Sequence, residues 1–247
     1  MTTYDGKKIV ITGGSSGIGL AAARLFADAG AHVLITGRTR STLDAALEQL
    51  GDRAIAVRSD TASLKDITEL AGAVRQRFGA VDALFVNAGV TASASLDSTT
   101  EEMYDEVFAI NTKGPYFTVQ ALAPLLREGS GVVLTTSVVN VLGLDALGVY
   151  SASKAALRSM TRTLARELLP RKVRVNAVSP GPIDSGILDR SLPADVVETM
   201  KDTYRSTIPM QRLGMPEEVA AAVAYLAFGA TFSTGMEFPV DGGASQL

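Results

Sequence analysis

"KIVITGGSSGIGLAAARLFADAG", residues 8–30, sets the architecture for everything that follows it. Five residues rich in β-branched side chains, Lys8–Thr12, run straight into a glycine-rich turn, which opens into an alanine-rich stretch with no breaker until Gly30. A short apolar run bounded by a turn and then a long apolar run describe a buried strand feeding a helix. Glycine permits the tight turn between them, lets backbone N–H groups approach a phosphate, and lets the helix pack close on the sheet. Gly13, Gly17 and Gly19 leave a three-residue gap and then a one-residue gap, so the spacing is not GxGxxG. Its position at the first strand-to-helix crossing is what marks it.

The same alternation continues outward. Runs at 32–36, 54–58, 83–87, 131–136 and 173–178 read as further buried strands, and 17–30, 41–51, 64–79 and 100–126 read as helices. Strict alternation predicts an α/β fold: a doubly wound, Rossmann-type parallel sheet with helices on both faces, in one domain spanning 1–247. Gly30 and Gly51 fall where helix ends need a left-handed residue. The stretch from Pro180 to Gly214 lacks clear periodicity and is rich in Pro, Gly, Ser and Asp, so a substrate lid is expected over about 182–214.

Composition narrows the function classes. At 247 residues, 47% hydrophobic and 20% charged, the chain suits a domain with a sizeable core. A net charge of −3 without long charge blocks argues against nucleic-acid and membrane partners. The absence of cysteine excludes disulfides and thiolate metal sites, and a single histidine, His32, read as the start of a strand, cannot build a multi-histidine centre; no metal is expected. The start lacks the apolar region of a signal peptide and no apolar run reaches about 18 residues, so a cytoplasmic protein is expected.

Two stretches carry chemistry. Where dinucleotide folds place a carboxylate for the ribose 2′-hydroxyl, "TGRTR" (36–40) offers Gly37, then Arg38 and Arg40. A guanidinium suits a 2′-phosphate, so NADP(H) is preferred over NAD(H). "YSASK" (150–154) places a phenol and an ammonium four residues apart, on one face of a helix. In a dry site the cation would favour the phenolate, lower the pKa of Tyr150 from about 10, and make it a proton donor near neutrality.

Five motifs in order, "TGGSSGIG" (12–19), "NAG" (87–89), "YSASK", "SPGP" (179–182) and "DGG" (241–243), resemble those of the short-chain dehydrogenase/reductase family across essentially the whole chain. The resemblance implies seven parallel strands, the last at about 236–240. It makes Tyr150 the general acid, Lys154 its partner and the ligand of the nicotinamide ribose, Ser137 the holder of the substrate oxygen, and Asn111 the holder of a relay water. For the cofactor it implies Gly13, Ser15, Ser16, Gly17, Ile18 and Gly19 at the pyrophosphate loop, with Arg38 at the 2′-phosphate. Asp60 and Thr61 would lie at the adenine, Asn87, Ala88 and Gly89 along the adenosine ribose, and Pro180, Gly181 and Ile183 beside the nicotinamide. Two positions depart from the family pattern: Ser16 replaces a basic residue common in NADP-preferring members, and Ser185 stands where threonine is frequent.

Around the site, Val138, Val139, Leu144 and Leu147, with Ile187, Leu188, Met200 and Tyr204 from the lid, predict a moderately apolar pocket for a ketone, aldehyde or β-keto ester, with Asn140 and Asp145 turned to solvent. Small residues on the helix after Tyr150 (Ala152, Ala155, Ala156, with Met160) permit close helix packing, and the resemblance implies a homotetramer. The expected activity is NADPH-dependent carbonyl reduction. One alternative is a 3-oxoacyl-acyl-carrier-protein reductase, against which the lack of a basic cluster in the lid region argues, although Arg127, Arg190 and Arg205 offer cations for an acidic carrier. Another is an NADP(H)-binding sensor without turnover, against which the intact set Asn111, Ser137, Tyr150 and Lys154 argues. A halohydrin-dehalogenase-like lyase would lack the glycine loop and carry arginine for Lys154.

Overall fold

The computed structural model describes residues 4–186 and 194–247. Each β-branched run forms a strand: β1 (Lys8–Thr12), β2 (His32–Gly37), β3 (Ala54–Arg58), β4 (Val81–Val86), β5 (Leu126–Thr135), β6 (Arg174–Pro180) and β7 (Glu237–Val240). All seven join one parallel sheet in the order β3-β2-β1-β4-β5-β6-β7. The chain walks outward from β1 to β3 and then crosses back to lay β4 on the other side of β1. The carboxyl ends of β1 and β4, with Thr12 opposite Val86, are therefore the switch point where doubly wound sheets open a crevice.

Alternate side chains of each strand enter different cores, as a period of two requires. Ile9, Ile11 and Phe85 pack with α1 (Gly17–Asp28), while Val10, Leu84 and Val86 pack with α3 (Leu64–Phe78), α5 (Gly114–Leu122) and α6 (Gly148–Leu168). Burial on both faces explains why these strands read as continuous apolar runs. Between β2 and β3 lies α2 (Arg40–Leu50), and α1 also packs on the helix Pro216–Ala224 near the chain end. Gly30 (φ +98°) and Gly51 (φ +68°) take the positive φ expected of them.

Three expectations are corrected. The helix expected over 100–126 is broken: α4 (Glu101–Phe108) leads into a π-helical turn (Ala109–Lys113), then α5, and Leu126 already pairs with Val81 in β5. That strand starts early because the polar stretch Arg127–Ser130, with Gly129 at φ +83°, is accommodated by a register shift between Val81 and Ala83. The stretch read as aperiodic contains α7 (Ala194–Thr207). Val197 and Lys201, four apart, face inward there, and the charged residues around them conceal the stripe. The next helix, α8 (Pro216–Ala224), starts on Pro216 with the Glu218 carboxylate accepting from the Met215 N–H at 2.8 Å. Ile187, Leu188 and Arg190 lie outside the described residues.

Candidate active site

β5 ends at Thr135, the first of three consecutive hydroxyl residues with Thr136 and Ser137, and each is bonded to a different part of the fold. The Thr135 carbonyl accepts from Lys154 Nζ at 2.8 Å, and its Oγ1 meets Asn87 Oδ1 at 3.3 Å. Thr136 donates its N–H to the Val178 carbonyl at 2.9 Å, and its Oγ1 bonds Glu237 Oε1 at 2.5 Å. Ser137 caps a short 3₁₀ turn (Val138–Asn140), and its hydroxyl reaches Tyr150.

On α6, Tyr150, Lys154 and Arg158 follow one another turn by turn on one face. Tyr150 as a residue is half-buried, but its phenol has lost enough water for burial to push its pKa above 10, against the opposing pull of hydrogen bonds from Ser137 and Thr91. Lys154 is 4% exposed, and burial lowers its pKa from 10.5 to about 8. The predicted lowering of the tyrosine by its lysine is therefore reversed. The ammonium sits 5.8 Å from the ring centroid, and a lysine that deprotonates near 8 is a weak cation where a phenol would ionise. Desolvation dominates both groups.

Asn111 lies in the π-helical turn and is fully buried. Its Oδ1 accepts from the Val90 N–H at 2.8 Å, and its Nδ2 donates to the Val90 carbonyl at 2.9 Å and to Ser153 Oγ at 3.2 Å. The amide thus fixes Val90, and with it the neighbouring Thr91, beside the phenol. Gly89 fits between this amide and the lysine: a Cβ there would lie 3.1 Å from Asn111 Oδ1 and 3.4 Å from Lys154 Nζ. Extra-residue turns of this kind recur at functional sites. Thr91 was not among the expected site residues; its signal in the sequence is a hydroxyl residue two positions after "NAG".

At the end of β1, Gly13 (φ +64°) and Gly17 (φ +52°) shape the turn into α1. A Cβ on Gly19 would lie 2.1 Å from the Gly13 carbonyl oxygen, and one on Gly14 would lie 2.6 Å from Ile35 Cγ2. Ser16 caps α1 without a side-chain bond, Ile18 packs against the core, and the first turn holds no acidic residue, so nothing repels an anion from the helix N-terminus. Ser185 reaches the rim of the loop, its Cβ 3.2 Å from where a Gly17 Cβ would be. Ser15 Oγ lies 3.0 Å from the corresponding point on Gly37, bringing the loop against the end of β2. There Arg38 is exposed, while Arg40 pairs with Asp44 at 3.0 Å. Arg58, not among the expected site residues, donates Nε to the Arg38 carbonyl at 3.0 Å, because β3 ends alongside β2.

The remaining expected contacts gather along the same strand ends. Asp60 Oδ1 accepts from the Ala62 N–H at 2.9 Å, and the buried Thr61 closes against Gly114. Asn87 Nδ2 bonds the carbonyls of Thr12 and Gly13 at 3.3 and 3.2 Å, and the N–H groups of Asn87 and Ala88 both reach Thr12 Oγ1, so Asn87 ties β1 to β4. Pro180 ends β6, the Gly181 N–H bonds the Val240 carbonyl at 3.0 Å, and Ile183 bridges to Gly214. Asp184 pairs with the buried Lys201 of α7 at 3.1 Å.

Val138 and Val139 are buried, whereas Leu144 and the neighbouring Val141 are exposed. Asp145 faces solvent as expected, but Asn140 does not: its Nδ2 donates to Glu237 Oε1 at 2.7 Å and its Oδ1 is buried. Arg127 lies at the opposite end of β5 from the site, 3.8 Å from Asp82, and Arg205 pairs with Asp202 at 2.6 Å. A cavity of about 320 Å³ lined by Tyr116, Ala156, Ser159, Met160, Thr163 and Leu164 opens on another face of α6 from the one bearing Tyr150 and Lys154. Among the described residues no group of three or more His, Cys, Asp or Glu is placed to hold a metal ion, and no helix is long and apolar enough to cross a membrane.

A family profile described as enoyl-(acyl carrier protein) reductase matches residues 13–245. An oxidoreductase, AsL5, of Sarocladium schorii is 39% identical over 98% of this chain and 97% of its own length. A 3-oxoacyl-acyl-carrier-protein reductase of Thermotoga maritima is 36% identical over 97% of this chain and 98% of its own. The crystal structure of a short-chain dehydrogenase/reductase, described as glucose/ribitol dehydrogenase, from Brucella melitensis superposes with a TM-score of 0.93 at 32% identity, over the whole of both chains.

Proposed function

The chain belongs to the short-chain dehydrogenase/reductase family of oxidoreductases, and we propose that it reduces a small ketone, aldehyde or β-keto ester to the alcohol at the expense of NADPH. The observation that carries this reading is the Tyr150 phenol, close enough to the hydroxyls of Ser137 and Thr91 for them to pull its pKa down, with the buried Lys154 on the same helix face. A reduced nicotinamide, when bound, supplies the hydride.

The protein's own part is to receive charge and deliver a proton. Reduction concentrates negative charge on the carbonyl oxygen, and Ser137 and Tyr150 present two hydroxyls to it. The raised pKa of Tyr150 keeps the phenol protonated at neutrality. Transfer from it is still downhill, because an alkoxide is about as basic as hydroxide, whose parent water has a pKa of about 15.7. Lys154, which titrates near 8, then exchanges a proton with the phenolate close to working pH. The tight glycine turn, with no acid in the first turn of α1 and Ser185 at its rim, fits a pyrophosphate. Asp60 and Thr61 would meet the adenine, Asn87, Ala88 and Gly89 the adenosine ribose, and Lys154 the other ribose. Pro180, Gly181 and Ile183 would flank the nicotinamide. The lack of a carboxylate at the end of β2, with Arg38 exposed and Arg58 beside it, favours a 2′-phosphate and hence NADP(H). The small residues of α6 and the cavity beside them support assembly into a homotetramer through α5 and α6.

The test is a spectrophotometric screen of NADPH oxidation over ketones, aldehydes, quinones and β-keto esters and thioesters, repeated with NADH and with Arg38→Asp. Turnover of a carbonyl compound is expected, with kcat/KM about tenfold or more higher for NADPH and the preference reversed in the variant. An unchanged ratio removes the case for NADPH, and cofactor binding without turnover of any carbonyl favours a sensor. The T. maritima relative favours a second reading, 3-oxoacyl-acyl-carrier-protein reduction. It requires faster turnover of a carrier-bound β-keto thioester than of the free thioester, and the placement of Arg127 away from the site lends no support to it.

A further inference from the structure

Behind Ser137 lies a polar cluster that the reaction above leaves unused. Glu237 opens β7, the edge strand, with its side chain largely covered. Its Oε1 accepts from Thr136 Oγ1 at 2.5 Å and from Asn140 Nδ2 at 2.7 Å, and its Oε2 lies 3.5 Å from Arg158 Nε. Arg158 also donates to the Gly235 carbonyl at 2.9 Å. Thr136 and Asn140 stand on either side of Ser137, and Arg158 stands one turn beyond Lys154 and two beyond Tyr150. One carboxylate therefore joins both shoulders of the Ser137 turn to the helix that carries the phenol.

The Asn140 amide shows what this hold demands of it. Its bond to a carboxylate settles which end of the amide carries the donors, and that orientation leaves Oδ1 buried with no hydrogen-bond partner among the described residues. Buried polar atoms are rarely left so, and here the donor end of the amide dictates where the acceptor end goes.

We propose that Glu237 is a positioning residue, which sets the Ser137 hydroxyl within reach of the Tyr150 phenol by holding Thr136 and Asn140 against Arg158. The proposal rests on the roles given to Ser137 and Tyr150 in the proposed function.

The test compares Glu237→Met, Glu237→Gln, Ser137→Ala and the double variant Ser137→Ala/Glu237→Met, with NADPH and ethyl acetoacetate as the probe pair. Glu237→Met is expected to lower kcat about tenfold, the scale of a sub-ångström misplacement, with NADPH affinity within about twofold of the parent. Glu237→Gln, whose carbonyl still accepts from Thr136 and Asn140 although its NH2 no longer accepts from Arg158, should recover kcat to within about threefold. In the Ser137→Ala background the methionine should cost less than about twofold more, because the group it positions is gone. Hydrogen exchange over 136–142 needs no turnover and should rise in Glu237→Met but not in Glu237→Gln. If the methionine variant does not fold, Asn140→Leu should show the same pattern at smaller size. Parental kcat and exchange in Glu237→Met would overturn the proposal, as would equal losses in both Ser137 backgrounds, which mark a general structural role. Undiminished kcat in Ser137→Ala alone would sink the functional reading and this proposal with it, whereas a crippled Ser137→Ala beside an unaffected Glu237→Met sinks only the proposal.

Discussion

At the end of β1 the chain is shaped by atoms it lacks; at the end of β5, two strands away in the sheet, it is shaped by hydroxyls that each find a distant partner. The glycine loop works because no Cβ blocks the approach of Gly19 to the Gly13 carbonyl or of Gly14 to Ile35. The Thr135–Ser137 corner works because Lys154, Asn87, Glu237 and Tyr150 all close on it. The first is contained in the stretch from Gly13 to Ile35. The second needs residues as far apart as Thr136 and Glu237, 101 positions along the chain. Under the proposed function the difference predicts a division of labour, with the loop setting cofactor affinity and the corner setting turnover.

The largest effect expected from that division is at the corner. Tyr150→Phe should lower kcat by about 10³-fold, within the usual range for removing a general acid, with NADPH affinity changed less than about twofold. Steady-state kinetics and a fluorescence titration check this, and a matching loss of affinity would erase the distinction between the two regions. Next is the loop. Gly19→Ala places a methyl 2.1 Å from the Gly13 carbonyl oxygen and 2.7 Å from Asn87 Nδ2, so backbone has to move. NADPH affinity should fall about 100-fold, with kcat at saturating cofactor within about threefold of the parent, and with a stability loss of about 1–3 kcal/mol.

The smallest effect concerns stability and separates the two regions by pH. The folded state lowers the pKa of Lys154 from 10.5 to about 8. Below about 8 both folded and unfolded chains carry the proton, and the folded chain bears the full cost of a buried cation. As pH rises from there toward 10.5 the folded chain has already released the proton and the cost fades. Lys154→Met should therefore be more stable than the parent at pH 7, by up to about 3 kcal/mol, with the gap narrowing above about pH 8. Urea titrations at neutral and alkaline pH measure this. The gap between Gly19→Ala and its parent should not vary with pH, and a constant Lys154 gap would show that the corner is not the dry site described here.

How much could be read without coordinates follows the same line. Strands buried on both faces announce themselves as unbroken apolar runs, so β1 and β3 lie at the residues expected, β2 and β7 differ by one position at one end, and β4 and β6 by one or two positions at both ends. Where the sheet tolerates polar residues, as at Arg127–Ser130 in β5, periodicity gave no warning. The π-helical turn at Asn111 was invisible for a related reason: its residues look helical, and only the packed surroundings insert the extra one. Tyr150 and Lys154 were legible as a pair, but the direction of their pKa shifts was not, since burial outweighed attraction once both were enclosed. Asn140 was misread for want of Glu237, 97 positions away.

The amino-acid order alone determined the parallel sheet, the glycine turn and the four-residue spacing of phenol and lysine, because each rests on backbone geometry and periodicity within a few neighbouring residues. Only the tertiary structure decided how wet the site is, which hydroxyls meet the phenol, and what holds Ser137 in place. Hydration and hydrogen-bond partnership depend on atoms that folding brings together from remote parts of the chain.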